Sequence, residues 1–261
     1  MRLNDTVYTF LFAGAVCLVC SLLVSVSAVS LRSYQEANRI IDRQEKVLSV
    51  SGLLKPDEKL SPKAIQERFA KNIQPKVVDL QTGDYVPEDQ VDPAKFDQRK
   101  AAEDPATSRA ASPNPAQVRR IPNNALVYQV VENGKVEEII IPVEGKGLWS
   151  TMYGYLALAP DTTTIKGLIF YQQGETPGLG GEVDNPRWKA LWPGRKAYDE
   201  QWEPKIHVIK GPAGPPEQAP YSVDGLSGAT LTSNGVTHLM QFWLGENGFG
   251  PYLKKFREQG S

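Results

Sequence analysis

From Val7 to Leu31 the chain carries no charged residue. An α-helix of that length exceeds the roughly 20 residues needed to cross a hydrocarbon core, so one membrane-spanning helix is expected at about 7–31. A cleaved signal peptide is the alternative, because Ser25-Val26-Ser27-Ala28 has the small-residue spacing of a cleavage site. Its apolar region would, however, be about twice the usual 7–15 residues. Cys17 and Cys20 fall inside this run with a C-x-x-C spacing. Redox pairs of that kind need exposed, electropositive surroundings, so both are read as small hydrophobes.

Beyond the span, Ile40, Ile41, Val47, Leu48, Val50 and Leu53 alternate with charged residues in a helical pattern that should stop near Gly52 and Pro56. This predicts a stalk continuing out of the membrane. Ser61-Pro62 is an N-cap followed by proline at the first helical position, and Ile65, Phe69 and Ile73 recur at intervals of four. Between Asp92 and Pro122 the composition turns to Ala, Pro, Ser, Asp and Arg, which predicts exposed loop or short surface helix rather than core. After it, β-forming runs flank Asn133-Gly134, the signature of a type I′ hairpin. Further strands are expected at 153–158, 165–171 and 205–209, with a helix over about 234–244. The fold class is therefore α+β: a single N-terminal transmembrane helix, then a soluble domain with an antiparallel sheet and flanking helices. The expected organisation is an anchor at 1–31, a helical stalk and polar insert at 32–122, and a sheet domain at 123–261.

Charge narrows the function. Lys plus Arg total 29 against 30 for Asp plus Glu, leaving no basic excess for a phosphate backbone, so nucleic acid is not an expected partner. With 2 Cys and 2 His, a Cys/His zinc site or disulfide framework is excluded outside the anchor, and no metal site is expected. His207 and His238 have no evident acid or nucleophile partner and are read as structural. Catalytic residues are not identified, and any redox chemistry must come from an organic cofactor or from partners.

Two segments are too rich in small residues to be ordinary core. Gly174-Glu175-Thr176-Pro177-Gly178-Leu179-Gly180-Gly181 follows a strand and could bring backbone N–H groups against a phosphate or a flat ring; it could equally be a long turn. It is neither a Walker loop nor G-x-G-x-x-G. Asp224-Gly225-Leu226-Ser227-Gly228-Ala229-Thr230 leads through Thr232 and Ser233 into the last predicted helix. As ordinary structure, Ser227 or Thr232 would be its N-cap.

These two strings, the Gly145-Lys146-Gly147-Leu148-Trp149 segment and the single N-terminal span together resemble the C subunits of bacterial sodium-translocating NADH:quinone oxidoreductases, over essentially the whole length. The resemblance implies an electron-carrier subunit of a membrane complex that oxidises NADH, reduces ubiquinone and exports sodium. It implies FMN bound covalently by a phosphoester to Thr230, installed by a flavin transferase with FAD as donor. Asp224, Ser227, Gly228 and Ala229 would surround the attachment point. Leu148, Trp149, Glu175, Thr176, Leu179 and Gly180 would line the isoalloxazine ring. A hydroxyl that must enter another enzyme's active site calls for an exposed, adaptable segment, which Gly225, Gly228 and Ala229 would provide by removing side chains. Partners implied are the other subunits, the transferase during maturation, and membrane lipid.

The same resemblance implies the bacterial cytoplasmic (inner) membrane, crossed once, with the large domain on the periplasmic side. Charge points the other way: only Arg2 precedes the span, while Arg32, Arg39, Arg43 and Lys46 follow it. Two further readings stay open. The G subunit of the RNF electron-transport complex shares the attachment motif and the anchor but is usually shorter between the anchor and the sheet. A membrane-anchored binding module without a cofactor is the other.

Overall fold

The computed structural model describes residues 5–55 and 57–259. Arg2 and Pro56, used above for the charge bias and the end of the stalk, lie outside them. The chain forms two compact units, Met1–Gln44 and Glu45–Ser261.

Helix α1 (Asp5–Val50) runs without interruption from the first unit into the second. Its segment Val7–Arg32 is long and apolar enough to cross a bilayer. A helix apolar on all sides over that length suits lipid rather than water. Cys17 and Cys20 are free and exposed on it. The helix ends where Gly52 takes φ +70°, the left-handed conformation that glycine adopts without a Cβ penalty.

In the second unit α2 (Pro62–Asn72) starts as the sequence predicts, with Ser61 Oγ accepting from Ala64 N and proline in the first turn. Strand β1 (Ile73–Asp79) follows at once. Then come α3 (Gln98–Glu103), the short strands β2 (Ser108–Arg109) and β3 (Ile121–Pro122), and the long strands β4 (Asn124–Glu132), β5 (Lys135–Lys146), β6 (Thr151–Leu158) and β7 (Ile165–Gln172). A 3-10 turn at Gly180–Asp184 leads to α4 (Pro186–Lys189). Strands β8 (His207–Val208) and β9 (Ser222–Val223), helix α5 (Thr230–Leu244) and helix α6 (Gly250–Gln259) complete the described chain.

The main sheet is antiparallel with order β1-β4-β5-β6-β7. The β4–β5 hairpin turns through Asn133 and Gly134 at φ 52° and 79°, the two positive angles of the predicted type I′ turn. One face of the sheet, carrying Val127, Ile139, Ile141, Met152, Leu156 and Phe170, packs into the main core with α5. Trp243 of α5 fixes the helix there by donating Nε1–H to Glu144 O at 2.7 Å. The opposite face is also buried: Phe69 of α2 meets the Tyr128 ring edge-on, and Tyr128 meets Tyr155 likewise. Val47, Leu48 and Val50, from the last turns of α1, are buried as well.

Three expectations need correction. Ala116, Val118 and Ile121, in the segment read as exposed, are buried core residues, because β2 and β3 fold that segment back on the sheet domain. The sheet also reaches upstream of residue 123, taking its edge strand β1 from residues 73–79. The strand expected at 205–209 shrinks to His207–Val208, which pairs in parallel with Ser222–Val223 outside the main sheet.

Candidate functional site

The two glycine-rich segments and the 147–150 turn converge on the N-terminus of α5. That helix begins at Thr230, four residues earlier than the apolar period suggests. Neither Ser227 nor Thr232 is its N-cap: the cap is Ala229, and no side chain caps the helix. The first intrahelical bond is Ser233 N to Ala229 O, so the N–H groups of the first turn precede the ladder and remain for other acceptors.

The hydroxyls in this region have different fates. Thr232 is 1% exposed and donates to Glu175 Oε2 at 2.8 Å. Ser233 is 4% exposed and its Oγ accepts from Leu226 N at 3.1 Å. Thr230 is exposed, as is Ser227. A cavity of about 330 Å³ opens beside Thr230, walled by Val208–Gly211 on one side and by Gly225, Leu226, Gly228 and Ser233 on the other. The sequence marks 205–209 as a strand but not as a wall of this site; that placement comes from the parallel β8–β9 pair, which joins residues fifteen apart.

The 224–230 loop is pinned, contrary to the adaptable segment expected. Asp224 Oδ1 accepts from Ala213 N at 2.9 Å, and its carbonyl accepts from Trp188 Nε1 at 2.9 Å. Gly225 N donates to Gly211 O at 3.0 Å. Gly225 lets the loop pack against the Ile209 carbonyl, and Gly228 has φ +70° with Leu179 Cδ2 2.9 Å from where a Cβ would stand. These glycines serve close packing and a left-handed turn rather than looseness.

Glu175 is 5% exposed with its carboxylate turned into the protein. Oε1 accepts from Trp149 N, Ser150 N and Ser150 Oγ, each at 3.0 Å. Oε2 accepts from Leu148 N at 3.0 Å and from Thr232 Oγ1. Burial pushes this carboxyl up, but the hydrogen bonds from Thr232, Ser150 and Leu148 outweigh it and hold it below the ordinary range. Thr176 is exposed, and its carbonyl closes the following turn by accepting from Leu179 N and Gly181 N. Gly180 is buried with room for no side chain, Thr232 Oγ1 standing 2.5 Å from an added Cβ.

On the outside of this framework Leu148, Trp149 and Leu179 remain exposed, Trp149 at 67%. Leu231, next to the attachment candidate, is 60% exposed. Large apolar side chains held in solvent by a rigid, bonded frame are the mark of a ligand platform rather than of misplaced core. An exposed hydroxyl, an uncapped helix N-terminus and flat apolar groups nearby fit a phosphate ester that carries a planar ring. His207 lies off this platform, its Nδ1 against Lys205 O at 2.9 Å and its Nε2 3.4 Å from Ser222 Oγ. His238 is exposed on α5.

Residues 147–245 match the FMN-binding domain family. The chain is 44% identical over 261 residues to the C subunit of the Na(+)-translocating NADH-quinone reductase of Yersinia pestis, covering 98% of this chain and 96% of that one. Its counterpart in Vibrio vulnificus is 49% identical, with 93% and 92% covered. Among solved structures, Shewanella oneidensis NqrC superposes with a TM-score of 0.77 at 34% identity, over 85% of this chain and 99% of that one. The C subunit from Parabacteroides distasonis superposes at 0.64 with 27% identity, over 85% and 96%. Identity of this extent along nearly the whole length makes the chain a member of the family of C subunits of Na(+)-translocating NADH-quinone reductases.

Proposed function

We propose that this chain is the flavin-bearing electron relay of a Na(+)-translocating NADH–quinone reductase, with FMN esterified to Thr230 Oγ. The observation that carries the attachment point is the sorting of hydroxyls around the start of α5: Thr232 and Ser233 are buried and bonded, while Thr230 and Ser227 are exposed and line the cavity, and of these two the family motif selects Thr230. In maturation Thr230 Oγ attacks the flavin-side phosphorus of FAD. The Thr–O–P bond forms, the pyrophosphate bond breaks, AMP leaves and the hydroxyl proton goes to solvent or to a base of the transferase. When bound, FMN supplies electron uptake and release, and the protein supplies position and electrostatics.

The chain's own residues divide that work. First-turn N–H groups of α5 meet the phosphate's charge. Leu148, Trp149 and Leu179 offer apolar contact to the ring, with Thr176 and the backbone at Gly180 at its border. Asp224, Ser227, Gly228 and Ala229 shape the loop that presents Thr230. The names of the relatives favour the quinone reductase over the RNF complex, and the FMN-binding match favours a redox role over a bare binding module. Other subunits, the transferase and lipid are the partners.

Thr230→Val keeps volume and β-branching but removes the nucleophile. Intact mass of the variant from cells containing the transferase is expected to lack the FMN increment that the parent carries. An increment retained on Thr230→Val, or transferred to Ser227, refutes the assignment. The large domain lies on the periplasmic side of the inner membrane, against the charge bias, because the transferase of the resembled family works there. A reporter fused after Ser261 that is active only in the cytoplasm is expected to stay silent; activity refutes the topology.

A further inference from the structure

The ring platform and the attachment helix meet at one buried carboxylate. Glu175 receives five hydrogen bonds, from three consecutive backbone amides at 148–150, from Ser150 Oγ and from Thr232 Oγ1 of α5. The donors come from two elements distant in sequence, 25–27 residues upstream and 57 downstream. The packing leaves this carboxylate little latitude. A Cβ on Gly147 would stand 2.6 Å from Oε1, and one on Gly180 would stand 3.0 Å from Oε2. With the amides of Leu148 and Trp149 drawn inward to Glu175, their side chains stay on the outer surface. Thr232, two residues beyond Thr230, is tied to the same group.

We propose that Glu175 is a positioning residue for the flavin: its ionised carboxylate locks the Leu148–Trp149 platform to the first turn of α5, so that the ring's contact surface and the ester that tethers it keep one fixed separation. This rests on the reading of Thr230 as the attachment point. Hydrogen bonds to an ionised acceptor in a buried setting are about twice as strong as neutral ones, and this one carboxylate spans both elements. A neutral amide cannot replace the carboxylate, because its NH₂ group would face donors on one side. Glu175 thus acts on the flavin through Leu148, Trp149 and Thr232, without its own oxygens being free for the ring.

The test is Glu175→Gln in the full chain in detergent, prepared with and without the transferase. In the flavin-free chain, hydrogen exchange at the amides of Leu148, Trp149 and Ser150 is expected to quicken about tenfold or more. In the transferase-treated chain, FMN is expected to attach while its visible circular dichroism and midpoint potential shift. Tyr85→Phe, which removes a hydroxyl bonded to Gln129 and Tyr252 away from this site, serves as the control and is expected to leave both flavin readouts unchanged. Exchange within about twofold of the parent overturns the proposal, and so does a flavin shift of equal size in Tyr85→Phe. Should Glu175→Gln fail to accumulate, Ser150→Ala removes one of the five bonds and is expected to quicken exchange at Trp149 and Gly174 roughly threefold; no change there overturns it. The exchange arm needs no flavin, so a misassigned Thr230 would show in the intact mass while leaving the exchange result readable.

Discussion

Gly235→Ala sets two opposing effects against each other in α5. In an open helix the change would stabilise by about 0.8–1.0 kcal/mol, the propensity difference between the two residues. Here the helix lies against the end of β5. An added Cβ would stand inside the contact shell of the Lys146 carbonyl oxygen, 3.3 Å from its carbon and 3.1 Å from Gly147 Cα. Carbon atoms pack at about 3.5–4.0 Å, so the helix start and the 146–147 turn must separate by roughly 0.5 Å or more. All three neighbours are backbone, and none can swing aside. Overpacking costs typically about 1–3 kcal/mol, and against three fixed backbone atoms the upper part of that range, about 2–3 kcal/mol, applies; less the propensity gain, this leaves a net loss of about 1–2 kcal/mol. For a unit of this size the loss corresponds to a Tm lower by about 2–8 °C. The assay is thermal unfolding of the full chain in detergent. A Tm equal to or above the parent's would show that β5 and α5 are not in this close contact, and the placement of Thr230 beside the Leu148–Trp149 turn would fall with it.

Glu138 Oε2 is buried and accepts no hydrogen bond among the described residues, and burial, with Lys166 opposing and Glu137 adding, pushes its pKa up to about 7. Because this acid's pKa is raised on folding, the folded state holds the extra proton between about pH 4.5 and 7, and stability falls as pH rises through that window. Glu138→Gln is expected to flatten the fall in Tm between pH 5 and pH 8, with Glu144, raised likewise by burial against the pull of Arg99, accounting for the remainder. An unchanged slope refutes it. Arg195 is 1% exposed and donates to three backbone carbonyls, Leu191 O, Gly214 O and Ala219 O. Arg195→Met leaves all three without that donor and is expected to cost about 3 kcal/mol or more by chemical denaturation; a loss under about 1 kcal/mol would show that water replaces the guanidinium.

The long apolar helix, the type I′ hairpin, α2 and the two long strands β6 and β7 were legible because each is announced locally, by an uncharged run, by Asn133-Gly134, by Ser61-Pro62 or by a run of β-forming residues. Strand β1 was hidden: Pro75 interrupts its β signal, as an edge strand allows, and Ile73 continues the helical period of α2 although it already begins the strand. Ala116, Val118 and Ile121 were hidden by their polar neighbours, since composition averages over a segment and burial acts on single side chains. At the site, the two small-residue strings, distant in sequence, come together at the start of α5. The sequence places Glu175 at the ring through the resemblance and its glycine-rich turn, and says nothing of where its carboxylate points. Its orientation depends on amides at 148–150 and on a hydroxyl at 232, a convergence that only the fold creates.

The burial of Val47, Leu48 and Val50 bears on where this chain can be cut. The α1 helix does not stop being useful where its apolar stretch ends at Arg32, since its final turns cover part of the sheet domain, where the Val50 carbonyl stands 2.8 Å from a Cβ placed on Gly167. A soluble fragment that begins after Gly52 would expose the side chains beneath those turns and invite self-association. A fragment that begins between Arg32 and Glu45 sheds the long apolar stretch and keeps the cover, so the usable window for a water-soluble version is about three helical turns wide.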